Sequence, residues 1–463
     1  MFGVILSLIV TIFVVKVLLK KYKPQFVLMF GGLLLLFGAL CMEWMGLIDH
    51  ANILPKGVSS TGFWGFDLMK VITSTMSSRT AGIGMLIMAA AGYSKYMSMI
   101  GASAIMADYL SRPLRLLKSP YLVLSLSYLI GAFADLFIPS ASGLAMLLMV
   151  TMYPVLVRLG VSRVAAASLI ATISCLDLGP TSGAANYAAQ VAGMDTMTYF
   201  VEYQVPVAVC VAITIAVLHF FTQRYFDKKD GAKAFEQGDA EAAGGDTVDS
   251  KGAPKFYGLL PTIPLILLVV FNRFVIDSIK LDVPTAMFIS FAIAMACEFV
   301  RHKAKDVLNQ AFEFFNMMGK QFAVVITLIV AGEMFAKGLI ATGTIDYLIG
   351  CMQGMGLPAA LIMIVMVLFI TLASIIMGSG NAPFFAFAPL LPDFAQQFGV
   401  STVFLIMPMQ LATGLARPAS PITAVVIAVA GCSGISPFEI VRRTAIPMAG
   451  ALTVMILSTI ILV

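Results

Sequence analysis

Long apolar runs constrain this sequence more than any other feature. A stretch of about 20 apolar residues is long enough to cross the hydrocarbon core of a bilayer as a helix. Eight such runs occur in the chain, at residues 2–18, 26–45, 82–101, 204–222, 257–277, 283–301, 321–342 and 444–463. Only 11% of the 463 residues are charged, against about a quarter in a typical soluble domain. The sequence therefore predicts an all-α polytopic membrane protein.

Four further apolar stretches are interrupted by glycine, proline and short polar residues. They lie at residues 121–158, 164–192, 357–398 and 402–431. Hydrocarbon satisfies no backbone polar group, so irregular backbone at membrane depth is tolerated only where it is buried in protein or lines a wet cavity. We therefore predict re-entrant helical hairpins at 121–158 and 357–398, and broken helices at 164–192 and 402–431.

The two halves of the chain share landmarks at a nearly constant spacing. The segment "MYPVLVRLGVS" (152–162) corresponds to "LLPDFAQQFGVS" (390–401), and "GPTSG" (179–183) corresponds to "RPASP" (417–421). The offset stays at about 238–240 residues. Paired halves of the same build are typical of transporters assembled from internal repeats. Chance similarity between apolar runs is the alternative, but it does not explain several landmarks that hold one offset.

One long polar segment, 223–256, divides the chain into these halves. It is rich in glycine, alanine, aspartate and lysine, a composition that predicts a flexible cytoplasmic linker. Residues 1–222 are then the first repeat and residues 257–463 the second. The less periodic stretches 64–80 and 304–319 are predicted to be separate amphipathic helices at the membrane interface.

Clusters of lysine and arginine set the predicted orientation, because cytoplasmic loops carry an excess of these residues. The clusters assigned to the cytoplasm are 20–23, 111–119, 158–163, 224–229, 301–305 and 442–443. With each hairpin entering and leaving on one side, each half has about five full crossings. Because five is odd, the second half is predicted to be inverted relative to the first. Both termini are predicted to be periplasmic.

The predicted hairpin tips bring small and polar residues to the middle of the membrane. The candidate binding residues there are Ser140, Ala141, Ser142, Gly143, Gly378, Ser379, Gly380, Asn381 and Ala382. The helix that follows each tip presents free N–H groups and the positive end of its dipole, which together favour an anion. The oxygen atoms of Ser140 and Asn381 are also candidates for holding Na⁺.

The broken helices supply the other candidates, at Pro180, Thr181, Ser182, Thr413, Arg417, Pro418 and Ser420. Arg417 is a functional candidate because a membrane-embedded arginine is costly, and its guanidinium suits a carboxylate. Asp177 lies at the matching break, where it could pair with Arg417, bind a proton or ligate a cation. Asp135 is a second candidate for a cation or proton site. Glu333 and Lys337, spaced i,i+4, are predicted to form a helical pair near a membrane face.

Several of these motifs resemble those of a known family, the anaerobic four-carbon dicarboxylate carriers of Dcu type C (the DcuC family). The resemblance is carried by "SPYLVLSLSYLIGAF", "PTSG", "GSGNAPFFAF", "SPITAVVIAVAG" and "ISPFEIVRRT", and it extends over essentially the whole chain. It implies a homodimeric carrier of the ion-transporter superfamily in the bacterial inner membrane, working by an elevator mechanism. It also implies exchange or cation-coupled transport of succinate, fumarate or malate, with Na⁺ or H⁺ as the coupling ion. A dicarboxylate needs two positively polarised binding positions, one for each carboxylate, and two opposed hairpin tips would provide them.

Other functions stay open on the sequence alone. A related carrier could take another organic anion or an amino acid, and a Na⁺/H⁺ exchanger or an ion channel could use Asp177 as its cation site. Trans-stimulated efflux distinguishes carriers from channels. The chain lacks hydrolase, ATPase and zinc-protease motifs, so no enzyme activity is expected. Its six cysteines are dispersed and predict no resident metal, and nothing in the sequence suggests nucleic-acid binding.

Overall fold

The protein is described from a computed structural model that covers residues 2–20, 22–48, 51, 53–55, 57–112, 119–138, 140–231, 252–271, 276, 278–279, 281–354 and 358–463. All regular structure in these ranges is helical. Six of the described helices, some with π or 3₁₀ turns, are long and apolar enough to cross a membrane. The predicted all-α polytopic class is confirmed at this level.

The helices of the first half are α1 (Phe2–Leu19), α2 (Pro24–Trp44), α3 (Trp64–Arg79), α4 (Met85–Met99), α5 (Ala102–Ser111), α6 (Pro120–Asp135), α7 (Ala141–Thr151), α8 (Tyr153–Arg158), α9 (Arg163–Thr172), α10 (Gly183–Val191), α11 (Thr196–Thr198) and α12 (Val205–Asp230). Short π-helical segments lie at Thr80–Gly84 and Tyr199–Gln204.

The helices of the second half are α13 (Ile263–Val270), α14 (Val283–Phe299), α15 (Ala304–Gln321), α16 (Thr327–Ala341), α17 (Thr344–Gly354), α18 (Ala359–Met377), α19 (Asn381–Phe387), α20 (Leu391–Phe398), α21 (Thr402–Ala416), α22 (Ala424–Ser433) and α23 (Pro437–Leu462). A π-helical segment lies at Phe322–Ile326, and 3₁₀ turns lie at Lys255–Thr262, Ala388–Leu390 and Arg417–Ala419.

The order of elements from α3 to α10 recurs from α15 to α22, and each series is followed by a long helix, α12 or α23. The π segment Thr80–Gly84 joins α3 to α4, and the π segment Phe322–Ile326 joins α15 to α16 in the same way. The two π segments also contact each other, since a Cβ on Gly84 would lie 3.4 Å from Cδ1 of Ile326. The interfacial helices predicted as separate elements are thus continuous with the spans that follow them. Sequence periodicity changes at this point because a π turn shifts the helical phase.

Four short connections position the site. Tip 1 (136–140) joins α6 to α7, and tip 2 (378–380) joins α18 to α19. Break 1 (173–182) separates α9 from α10, and break 2 (417–423) separates α21 from α22. The helices that enter the breaks begin alike, because Ser162 and Ser401 each accept a hydrogen bond from an amide three residues on, an N-cap that satisfies the free end of the helix.

Two spans differ in length from the sequence prediction. Helix α12 continues to Asp230, so the predicted linker begins too early; residues 232–251 lie outside the described residues. The predicted span 257–277 starts with a 3₁₀ turn, and its α-helical part ends at Val270.

Buried charge explains why α12 extends into the polar segment. The guanidinium of Arg443 on α23 is fully buried and bonds the carboxylates of Asp227 at 2.5 Å and Asp230 at 2.8 Å. The hydroxyl of Ser162, at the start of α9, donates to Asp227 as well, at 2.7 Å. A buried arginine requires such compensation because an unpaired charge is costly to desolvate. The network fastens the last helices of both halves to each other.

The prediction for Glu333 and Lys337 is wrong about their surroundings. Glu333 is buried and forms an ion pair with Arg79 at 2.5 Å, and the hydroxyl of Tyr187 donates to the same carboxylate at 3.3 Å. Lys337 donates to the hydroxyl of Thr75 at 3.2 Å. Arg79 and Thr75 both belong to α3, which lies far away in sequence, so local spacing did not indicate them.

Candidate functional site

A cavity of about 490 Å³ lies where the two tips and the two breaks meet. The predicted residues that line it are Ser140, Ala141, Ser142, Gly143, Asp177, Thr181, Gly378, Ser379, Gly380, Asn381 and Arg417. Elements that are far apart in the sequence therefore converge on one space. Their role in binding a ligand stays a prediction.

The other predicted residues do not line this cavity; they are Asp135, Pro180, Ser182, Ala382, Thr413, Pro418 and Ser420. Some of them form contacts behind the wall. The hydroxyl of Ser182 accepts from the amide of Ala185 at the start of α10. The carbonyl of Pro418 accepts from the hydroxyl of Thr444 at 2.6 Å. Ala382 lines a separate apolar crevice beside α1.

Matched hydroxyl groups tie each break to its hairpin. Thr181 in break 1 donates to the carbonyl oxygen of Leu136 at 2.8 Å, and Ser420 in break 2 donates to that of Ile375 at 2.7 Å. The donors are 239 residues apart, and so are the acceptors. Each bond satisfies a carbonyl at the end of a helix, where no intrahelical donor remains. The two halves thus use the same device to fix a hairpin against a break.

Removal of either hydroxyl is expected to destabilise the protein modestly. We expect Ser420→Ala to lower the free energy of unfolding by about 1 kcal/mol, the usual net value of one such hydrogen bond, and Thr181→Val to do the same. The two effects should add in the double variant because the bonds share no partner. Melting temperatures of the detergent-solubilised variants check this, with Thr453→Val as the control because its exposed hydroxyl bonds only its own helix. If either variant lost no more stability than Thr453→Val, its hydroxyl would not tether the break to the hairpin.

The second tip requires glycine at two positions. Gly378 has φ +66°, and a Cβ there would lie 2.7 Å from Cγ1 of Ile422. A Cβ on Gly380 would lie 2.6 Å from the carbonyl oxygen of Thr413. Only glycine combines a left-handed turn with so close an approach of backbone to neighbouring groups. The tip therefore packs directly on α21 and break 2.

Asp177 is the centre of the polar contacts between the breaks. It has φ +54°, the only positive φ among the described residues other than glycine, and such strain persists only where surrounding groups impose it. Its carboxylate forms an ion pair with Arg417 and accepts from the hydroxyl of Ser182 at 2.7 Å. Its backbone oxygen accepts from Nε2 of Gln410 at 2.9 Å. Of the roles that the sequence left open for Asp177, pairing with Arg417 is confirmed.

Two buried glutamines complete this connection, and the sequence analysis missed them. The amide of Gly179 donates to Oε1 of Gln204 at 3.1 Å, and Nε2 of Gln204 donates to Oε1 of Gln410 at 2.7 Å. Both side chains are fully buried. A glutamine inside an apolar span was the available signal, because a buried amide demands partners.

Two further acceptors lie close to this ion pair or to tip 2. Asp135 lies near Ser174 and interacts electrostatically with Asp177 and Arg417. Oδ1 of Asn381 is buried and has no hydrogen-bond partner among the described residues. Within the same residues, no group of three or more histidine, cysteine, aspartate or glutamate side chains could hold a metal ion.

Helices α4 and α15 supply cavity residues that the sequence analysis did not single out. The polar members are Ser94, Lys95 and Ser98 of α4, Gln321 of α15, and Ser103 and Thr423. The α4 residues, together with Ile87 and Ala91, recur every three or four positions and so occupy one face of the helix. In the sequence, this part of the wall was indicated by polar residues that recur on one face of the otherwise apolar helix α4.

The fold matches two solved transporter structures over nearly the whole chain. MtrF of Neisseria gonorrhoeae, from a class of antimetabolite efflux pumps, covers 94% of this chain and 95% of its own, with a TM-score of 0.61 and 12% identity. The match to the YdaH transporter of Alcanivorax borkumensis covers 95% of this chain and 97% of that transporter, with a TM-score of 0.62 and 14% identity. The fold is thus that of multi-pass membrane transporters.

Sequence comparison defines the family within that class. The chain belongs to the DcuC family, described as C4-dicarboxylate anaerobic carriers, whose family model matches residues 2–463. It is 35% identical to the "Anaerobic C4-dicarboxylate transporter DcuC" of Escherichia coli K12, over 98% of this chain and 95% of the relative. It is also 35% identical to the "Probable anaerobic C4-dicarboxylate transporter DcuC" of Vibrio cholerae, over 100% of this chain and 98% of the relative. The resemblance found in the sequence is confirmed, and the protein is a membrane transporter rather than an enzyme.

Proposed function

We propose that the protein is a secondary transporter of four-carbon dicarboxylates such as succinate, fumarate and malate, and that the cavity between the tips is its binding site. The observation that carries the assignment is the position of Arg417, which lines a polar cavity at the meeting point of both tips and both breaks. The names of its relatives support the same substrate class.

The chemistry of Arg417 fits a carboxylate. A guanidinium offers parallel N–H donors that match the two oxygen atoms of a carboxylate. Asp177 compensates its charge in the structure, which lowers the cost of keeping an arginine in the membrane. A substrate carboxylate that enters the cavity would share Arg417 with Asp177 or displace Asp177 from it. The N–H groups of Ala141 and Ser142 at the start of α7 can also donate to the substrate, whereas that of Gly143 already donates to the hydroxyl of Ser140.

The transport cycle that we propose is alternating access by two inverted repeats. The hairpins around tips 1 and 2 would be re-entrant, and together with the broken helices they would form a transport domain that slides against a fixed scaffold as an elevator. Support comes from the matched tethers of Thr181 and Ser420 and from the matched π segments in contact with each other. We propose a homodimer in the bacterial inner membrane with periplasmic termini, in line with the lysine and arginine distribution.

The coupling ion is proposed from the acceptors near the cavity. Oδ1 of Asn381 lacks a donor among the described residues, and such an acceptor suits Na⁺ better than it suits a carboxylate. Asp177 and Asp135 lie near each other and near Arg417, an arrangement that suits uptake of a proton when substrate disturbs the ion pair. Pure exchange of one dicarboxylate for another needs neither ion.

Counterflow in proteoliposomes tests the function. Vesicles loaded with unlabelled succinate are expected to accumulate labelled succinate, and unlabelled fumarate or malate inside should support the same uptake. Parallel runs with sodium or a pH gradient identify the coupling ion. Conduction without counter-substrate would instead favour a channel, and accumulation of only monocarboxylates or amino acids would favour a carrier for those substrates. Sodium–proton exchange without succinate movement would favour an exchanger that uses Asp177.

A further inference from the structure

The cavity contains a second cationic side chain whose position differs from that of Arg417. Lys95 lines the cavity, is exposed, and has no ion-pair partner among the described residues. Arg417 lines the same cavity but is paired with Asp177. The uncompensated positive charge of the described wall is therefore that of Lys95. A substrate with two carboxylates would leave one of them without a cationic partner if only Arg417 bound it.

Lys95 belongs to a part of the cavity wall that α4 supplies. It lies on α4, one turn before the helix ends at Met99, on the face that also carries Ser94 and Ser98. Met317 and Gln321 of α15 line the cavity as well. None of the two tips or two breaks contributes to this wall. The lysine-rich segment 111–119 that soon follows α4 predicts that this end of the helix is near the cytoplasm.

The second half contains a lysine at the equivalent position. Helices α4 and α16 have equal lengths, and their first residues differ by 242, as Lys95 and Lys337 do. The same offset relates Thr75 to Met317. Lys337 donates to the hydroxyl of Thr75 at 3.2 Å and is only half-exposed, whereas Lys95 faces the open cavity that Met317 lines. Glu333 and Arg79 also interact with Lys337, and at the same offset they correspond to Ala91 and Gln321 of the cavity wall. The corresponding positions therefore enclose Lys337 with charged and polar groups, whereas those around Lys95 border open space.

We infer that Lys95 and Lys337 are alternating carboxylate-binding residues, one for each side of the membrane. Lys95 binds the second carboxylate of a dicarboxylate that enters the cavity in the conformation described, while Arg417 binds the first. When the protein opens to the opposite side, the surroundings of Lys337 open and those of Lys95 close. Lys337 then binds the carboxylate on that side. This inference rests on the proposed function and adds a side-specific role for each lysine.

Transport measured from each side of the membrane tests the inference. Inside-out vesicles and intact cells expose opposite faces, and the KM for succinate is determined for both. Lys95→Gln is expected to raise the KM by roughly tenfold to a hundredfold, the usual effect of losing a hydrogen bond to a charged group, at the predicted cytoplasmic face only. Lys337→Gln is expected to raise the KM at the other face only. Lys95→Arg should restore much of the affinity because it keeps the charge.

Lys320→Gln is the matched control, because Lys320 is exposed on α15 next to Gln321 but does not line the cavity. It should leave the KM unchanged at both faces. An equal change at both faces for Lys95→Gln, or no change, would overturn the inference while leaving the proposed function intact. Failure of the wild-type protein to exchange succinate would reject the proposed function and the inference with it.

Discussion

Replacement of Arg417 with glutamine is expected to reduce succinate counterflow by about 100-fold or more. The substitution removes two charge-assisted hydrogen bonds to a carboxylate, each contributing about 1.5–3 kcal/mol, in a cavity where the membrane interior strengthens charge interactions. Arg417→Lys should retain part of the activity, since it keeps the charge but loses the paired donors. Initial rates in proteoliposomes, normalised to the amount of folded carrier, measure both effects.

The ion pair with Asp177 complicates the single substitution, because Arg417→Gln also leaves a carboxylate unpaired. Loss of one partner of a buried pair can cost about 3–5 kcal/mol of stability, and a smaller loss is expected here because each side chain of this pair is 16% exposed. The double variant Asp177→Asn/Arg417→Gln removes both charges and is the control. We expect it to recover the melting temperature of the wild type but not its transport. If the double variant transported succinate with unchanged affinity, Arg417 would have no part in binding.

The second large effect is expected at Gly414, where the two broken helices cross. A Cβ at this position would overlap the carbonyl oxygen of Cys175, and it would lie 3.8 Å from Cβ of Asp177. The obstacle is backbone, which cannot rotate away as a side chain does. We expect Gly414→Ala to lower the free energy of unfolding by about 3 kcal/mol or more, the upper end for overpacking, and to abolish transport. Thermal melting and size-exclusion profiles of the purified protein measure the loss.

Gly431→Ala provides the matched comparison for Gly414→Ala. Gly431 lies within α22, and nothing stands within 4 Å of the position that its Cβ would take. Alanine in an open helical position is expected to stabilise by about 0.5–1 kcal/mol. The same chemical change should therefore have opposite signs at the two sites. Equal melting temperatures for the two variants would contradict the close crossing at Gly414.

The sequence indicated which segments would share a polar space, for a physical reason. Hydrocarbon does not tolerate free backbone groups or an unpaired arginine, so the segments around Asn381 and Arg417 had to face a polar space. The structure places both residues on one cavity. The matching breaks made a pair of Asp177 with Arg417 one of three roles that the sequence left open for Asp177, and the structure shows that pair.

Residues at the ends of spans were harder to predict. Lys95 lies near the end of an apolar helix, where lysine commonly extends to the membrane surface, so its place in a cavity depends on the packing of α4 against the hairpins. Glu333 looked like the local partner of Lys337, but its ion pair is with Arg79 on α3. Such contacts are set by tertiary packing, and residue spacing within one helix carries no information about them.

The central claim is that a four-carbon dicarboxylate binds between tip 1 and tip 2 beside Arg417. A density map of the protein reconstituted in lipid with saturating fumarate tests it most directly. The account predicts ligand density in contact with the Arg417 guanidinium and bounded by Ser142 and Ser379, absent from a matched map without fumarate. Ligand density elsewhere in the protein, or tips 1 and 2 facing lipid with no cavity between them, would contradict it.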